Sequence, residues 1–127
     1  MTREMTLAID CGGGGIKGSV VDERGTMMAP AHRVPTPYPL PPELLVETAV
    51  GLAKELPPAT RVTMGMPGMI RHGVVIATPH YITRDGPRSR VLPELVERWD
   101  HFDMGRAIEQ ALSLPTKVLN DAEVAGA

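Results

Sequence analysis

Residues 5–18 read M-T-L-A-I-D-C-G-G-G-G-I-K-G: an apolar stretch ending on an acid, four consecutive glycines, then a lysine entering a second apolar stretch. Glycine has no Cβ to block close approach or to forbid positive φ, so successive N–H groups in such a turn can converge on an anion. Asp10, at the mouth of the turn, is placed to hold a hydrated divalent cation, and Lys17 supplies a positive charge. Asp10, Gly12, Gly13, Gly14, Gly15 and Lys17 thus form a candidate cradle for the phosphates of a nucleotide, with Asp10 reaching Mg²⁺ through water. The bland alternative is a flexible tight turn with an incidental acid and lysine. Four glycines in a row exceed what a hairpin needs.

Two other phosphate loops do not fit. A P-loop needs G-x-x-x-x-G-K-[ST] opening a helix, and a dinucleotide fingerprint needs G-x-G-x-x-G opening a helix after a strand. Here the glycines are followed by Ile16-Lys17-Gly18-Ser19-Val20-Val21-Asp22. Its apolar β-branched residues, and the Asp22-Glu23-Arg24-Gly25 turn after them, predict a strand and therefore an antiparallel hairpin.

A chain of 127 residues fits one domain with a modest core, and 43% hydrophobic with 22% charged residues is ordinary for a soluble globular protein. A net charge of -2 gives no reason to expect nucleic acid or an acidic membrane surface as partner. No apolar run approaches the roughly 20 residues that span a bilayer, and the N-terminus lacks a signal-peptide core, so the expected location is cytoplasmic. The one cysteine, Cys11, excludes a disulfide framework and a cysteine-based zinc site within this chain.

Hydrophobic patterning predicts a three-stranded antiparallel meander over residues 6–10, 16–22 and about 26–34. The proline-rich run Pro35-Thr36-Pro37-Tyr38-Pro39-Leu40-Pro41-Pro42 reads as an extended connector. A helix follows over 42–56, with apolar residues at helical spacing and Pro57 closing it. Residues 61–66 form a strand, Met66-Pro67-Gly68 a turn, and Arg71-His72-Gly73 the tip of a small hairpin. Residues 83–90 are a polar, basic loop. A second helix spans 103–112 with Asp103 at its start, a strand 116–119, and Asn120 opens another helix with Glu123 completing a capping box. That last helix is a stub of barely two turns, marginal alone, which points to one lobe of a longer parent. Met64, Met66 and Met69 read as core fillers, and His32, His72, His80 and His101 show no metal-ligand spacing.

The combined pattern resembles the ROK family of sugar kinases, including its polyphosphate glucokinase branch, within the actin-like ATPase superfamily. Ile9-Asp10-Cys11-Gly12-Gly13-Gly14-Gly15-Ile16-Lys17 is similar to the first phosphate motif, D-I-G-G-T-x-I/T-K. Gly65-Met66-Pro67-Gly68-Met69-Ile70 is similar to G-x-P-G-x-V. Residues 99–125 are similar to W-x-x-x-D-L-x-x-x-L-x-x-x-L-x-x-P-V-x-V-x-N-D-A. The fold implied is α/β: the N-terminal lobe of the actin-like ATPase (ribonuclease H-like) fold, a mixed sheet with an antiparallel three-stranded meander and flanking helices. Residues 1–127 would be that lobe, without the C-terminal nucleotide lobe.

The resemblance also implies roles. Asp121 would be the general base on a sugar hydroxyl attacking the γ-phosphoryl group, Asn120 would bind neighbouring hydroxyls, and Gly68 would line the sugar pocket. Asp10 would help position Mg²⁺, and the amides of Gly12, Gly13, Gly14 and Gly15 would line the phosphate path. The donor would be ATP or polyphosphate. Taken alone, Asn120 is an ordinary N-cap and Asp121 a first-turn acid. Two departures stand out. The family's threonine is replaced by Gly14, and the linker from Pro79 to Trp99 is longer than usual, carrying His80, Tyr81, Arg84, Asp85, Arg88 and Arg90. Those arginines either reach a phosphorylated substrate or polyphosphate, or form a solvated loop. The family's zinc motif is absent from these residues.

Partners on this reading are a small-molecule sugar and a nucleotide, with no nucleic acid and no membrane, and self-association as a homodimer through an exposed lobe face. The competing functions are the sugar-sensing module of a ROK-type transcriptional regulator and a non-catalytic member of the fold. The isolated chain would be catalytically poor.

Overall fold

The computed structural model describes residues 3–121. Strand β1 (Met5–Cys11) alternates buried Leu7, Ile9 and Cys11 with more open Thr6, Ala8 and Asp10, the period-two pattern of a sheet covered on one face. It turns through the glycines into β2 (Gly15–Asp22), paired antiparallel so that Asp10 lies opposite Lys17 and Cys11 opposite Ile16. β3 (His32–Pro35) pairs antiparallel outside β2 and sets Arg33 beside Lys17.

The third strand is shorter than the 26–34 expected from patterning. Asp22 Oδ1 accepts from the N–H groups of Arg24 and Thr26, which closes a turn, and Pro30 has no N–H for a ladder. Only a bridge between Val21 and Met27 remains of the missing part.

Helix α1 (Pro42–Lys54) begins with proline, whose missing N–H would have had no intrahelical partner there. Leu45, Ala49 and Leu52 recur at helical spacing and are buried. It stops short of the predicted residue 56, where Leu56 N–H reaches the Ala53 carbonyl in a tighter turn ahead of Pro57. Strand β4 (Arg61–Met66) then pairs parallel to β1, and β7 (Thr116–Asn120) parallel to β4, giving the sheet order β3-β2-β1-β4-β7. Parallel neighbours need a crossover. Before β7 this includes α3 (Met104–Leu112), which packs against α1 and buries Met104 and Ile108. Asp103, expected either as N-cap or as a first-turn acid, caps α3, its side chain accepting from Arg106 N–H at 3.0 Å.

β5 (Met69–Arg71) and β6 (Val74–Ala77) form the expected small hairpin. His72 and Gly73 turn it with φ of 52° and 80°, a two-residue connection with both central residues left-handed. Helix α2 (Pro93–Trp99) was not expected within the long linker. It is a single pair of turns without a side-chain cap, anchored by buried Leu95 and Trp99. Trp99 Nε1 donates to the Leu40 carbonyl at 2.8 Å, and its ring lies between those of Tyr81 and Phe102.

Sheet residues Leu7, Ile9, Cys11, Ile16, Val20, Val62, Met64, Met66 and Val118 form one buried cluster with the helices. Met64 and Met66 fill it as anticipated. Met69 does not: it is 56% exposed on the short hairpin. Asn120 closes β7 and Asp121 has helical backbone, while the rest of the predicted capping-box helix lies outside the described residues. No helix of the described residues is long and apolar enough to cross a membrane.

Candidate functional site

Three parallel strands, β1, β4 and β7, end along one edge of the sheet. Register places Asp10 beside Gly65, Gly65 beside Leu119, and Met66 beside Asn120. Asp10, the Met66-Pro67-Gly68 turn and Asn120-Asp121 therefore share that edge, with β1 and β7 about 10 Å apart at the usual strand spacing. Ligands of open α/β sheets characteristically bind outside such carboxyl ends.

Asp10 is exposed and Asp121 half-buried, and neither joins an ion pair among the described residues. Both act on the same two buried groups. The Cys11 thiol is pushed far up, first by burial and then by the negative charges of Asp10 and Asp121. The Tyr81 phenol is likewise pushed far up, chiefly by burial, with Cys11, Tyr38, Asp121 and Asp10 adding to it. The two carboxylates, distant in sequence, thus both bear on the buried Cys11 and Tyr81, which adjoin the glycine turn.

Within that turn, Gly12 N–H donates to Gly15 O at 2.9 Å. The Gly12 carbonyl accepts from Thr36 Oγ1 at 3.0 Å and from Tyr81 OH at 2.8 Å, and the Gly13 carbonyl accepts from Tyr38 OH at 2.7 Å. The N–H groups of Gly13 and Gly14 have no acceptor among the described residues. Positive φ, half of the reason given for the glycines, is not used: none of the four lies in that region. Neighbouring side chains of the chain itself crowd two of the four. A Cβ on Gly13 would meet Pro87 at 3.0 Å and His80 Nδ1 at 3.3 Å, and one on Gly15 would meet the Arg33 guanidinium at 2.4 Å. A Cβ on Gly14 would have nothing within 4 Å.

Lys17, opposite Asp10 and beside Arg33, is on the same face of the sheet as both. Asp10 suits a hydrated Mg²⁺, which is held by one or two carboxylates together with ligand phosphates and not by a protein cage. Among the described residues no group of three acidic, histidine or cysteine side chains forms such a cage.

At the other end of the site, Asn120 Nδ2 donates to the Gly68 carbonyl. Gly68 has φ 112°, and a Cβ there would lie 2.0 Å from the Ala77 carbonyl oxygen. These two residues border an open depression of about 570 Å³ with Met69, Ile70, Ala77 and Pro79. Another depression, about 520 Å³ between the hairpin, α3 and β7, contains none of the candidate site residues. Arg84, Arg88 and Arg90 are exposed on a loop closed by Ser89, whose Oγ donates to Gly86 O and accepts from Asp85 N–H. Thr36, Tyr38 and Tyr81 join the glycine turn without any sequence signal to mark them. They reach it from 24 to 69 positions away, and no local pattern announces such contacts.

The ROK family model matches residues 6–127. The chain belongs to the ROK family. It is 32% identical over 122 residues to N-acetylmannosamine kinase of Escherichia coli K12, covering 94% of this chain and 37% of that protein. Among solved structures, the inorganic polyphosphate/ATP-glucomannokinase of Arthrobacter sp. strain KM superposes with a TM-score of 0.75 at 31% identity, over 97% of this chain and 46% of that one. A ROK family glucokinase from Streptomyces griseus, in complex with glucose and AMPPNP, gives 0.71 at 27% identity, over 96% of this chain and 35% of the other. A ROK family transcriptional regulator shares the fold alone, at 16% identity. The fold is that of the actin-like ATPases, and the chain spans less than half the length of these kinases.

Proposed function

We propose that this chain is the sugar-side lobe of a ROK sugar kinase, which transfers a phosphoryl group from ATP to a hexose hydroxyl. The observation that carries the reading is the convergence of Asp10, the glycine turn and Asn120-Asp121 on one sheet edge. Asp121 accepts the proton of the attacking hydroxyl, and Asn120 and Gly68 frame the sugar. The outward amides of Gly13 and Gly14, with Lys17, steady the transferring phosphates. Asp10 holds a hydrated Mg²⁺, which when bound neutralises phosphate charge. Phosphoryl transfer asks little more of a protein than such positioning and charge stabilisation.

Inorganic polyphosphate is the alternative donor. The Arthrobacter glucomannokinase carries it in its name, and here Pro87, from the loop bearing Arg84, Arg88 and Arg90, packs beside Gly13. A sugar-sensing role remains the second reading, since a ROK regulator has the same fold. A sensor has no need for amides aimed away from the turn. Asp121→Asn in the longer protein that carries this chain separates the two. A kinase loses kcat by about a hundredfold or more with sugar affinity retained. Unchanged turnover removes Asp121 as the base.

A further inference from the structure

A trans peptide plane holds its N–H opposite its C=O, so fixing one fixes the other. In a run of glycines the planes are otherwise free to flip, because no Cβ penalises the alternative turn geometry. Three side-chain hydroxyls restrain them here. Tyr81 OH and Thr36 Oγ1 both bind the Gly12 carbonyl, which sets the Gly13 N–H on the opposite side. Tyr38 OH binds the Gly13 carbonyl, which sets the Gly14 N–H likewise. Thr36 N–H approaches the Gly14 carbonyl at 3.4 Å.

We infer that Tyr38 and Tyr81, with Thr36, are positioning residues for the phosphate turn: their hydroxyls hold the Gly12 and Gly13 carbonyls inward so that two glycine amides face the anion. The inference rests on the phosphate-cradle reading of the turn and adds to it the groups that orient the amides. Both phenols are held by packing as well as by these bonds. Tyr81 is fully buried and its ring lies 6.3 Å from that of Tyr38 and 5.7 Å from that of Trp99. Gly86 packs on the Tyr38 ring, where an added Cβ would sit 3.1 Å away. Burial raises both phenols above their ordinary range, so they remain protonated donors at any working pH. Each acts through a peptide plane.

The test uses Tyr38→Phe and Tyr81→Phe, which keep the rings, and Thr36→Val, which keeps the shape in case a ring variant folds poorly. Isotope-labelled chain is titrated with magnesium tripolyphosphate, and the amide resonances of Gly13 and Gly14 are followed, along with their order in the free protein. In the unsubstituted chain both amides should shift saturably. In each hydroxyl-free variant the affinity should fall about five- to tenfold, the loss expected for one hydrogen bond of this kind. The free Gly13 or Gly14 amide should become more mobile, and glucose affinity should stay the same. Variants that bind tripolyphosphate as tightly as the parent, with equally ordered amides, overturn the inference and leave the cradle reading standing. Amides that loosen in the variants, in a chain that never responds to tripolyphosphate, overturn the cradle reading while the hydroxyls still hold the turn.

Discussion

Gly68→Ala isolates the demand that the site makes on one backbone position. Gly68 has φ 112°, where an L side chain is strained by about 1–3 kcal/mol. The new methyl would also stand 2.0 Å from Ala77 O and 2.8 Å from Thr78 Cα. Both obstacles are backbone, so no side chain can swing aside, and displacing β6 costs about a further 1–3 kcal/mol. The total of about 2–6 kcal/mol is a large part of the stability of a domain this size. At about 4 °C per kcal/mol, thermal melting followed by circular dichroism should fall by roughly 8–24 °C. Gly14→Ala is the matched control. Nothing lies within 4 Å of the added methyl and φ is not positive, so the unfolded chain loses entropy and melting should rise slightly, by the equivalent of about 0.4–1 kcal/mol. A Gly68→Ala protein melting within about 2 °C of the parent would refute the argument. So would a Gly14→Ala protein as damaged as Gly68→Ala.

Cys11 is fully buried and its thiol is pushed up by burial and by the Asp10 and Asp121 charges, so the native chain should react with Ellman's reagent about a hundredfold more slowly than the unfolded chain. Labelling at the free-cysteine rate would place the thiol in contact with solvent. The Asp22 carboxyl is held below its ordinary value, first by the Thr26 N–H and then by the Arg24 N–H and the nearby arginine charges. Such a depressed group stabilises the fold above its unfolded value, about 3.9, and that contribution is lost as pH falls through the lower folded value. The parent should therefore melt above Asp22→Asn at pH 7, with the gap closing below about pH 4. An equal gap at pH 2.5 and pH 7 contradicts this.

The succession of strands along the chain and helices α1 and α3 are legible in the sequence because each rests on local signals. The alternation in β1, the helical spacing of Leu45, Ala49 and Leu52, and Asp103 as a cap are written within a few residues of one another. The juxtaposition of Asp10 with Asn120-Asp121 is not local. The family pattern implies it, and parallel pairing across β4 accounts for it physically. Helix α2 is hidden because seven residues opening on Pro93, with no capping side chain, carry too little periodicity to stand out from a loop. Thr26 and its neighbours look strand-like by composition, but Asp22 bonds their backbone into a turn first.

The same distinction explains why the glycine turn is conspicuous as a candidate site and silent about what holds it. Four glycines advertise closeness to a ligand, yet each gives up about 0.5–1 kcal/mol of backbone order relative to alanine, about 2–4 kcal/mol together. Hydrogen bonds of the kind made by Thr36, Tyr38 and Tyr81 contribute about 0.5–1.5 kcal/mol each, a comparable sum. Bonds from two other segments, the proline connector and the stretch that follows Pro79, therefore offset that loss of order. Those segments carry no secondary-structure pattern of their own, and Pro79, at the head of the second, borders the depression beside Gly68 and Asn120. One short stretch, from Pro79 to Tyr81, thus connects that depression with the glycine turn. A substitution near Pro79 should be felt at Gly13 before it is felt in the core.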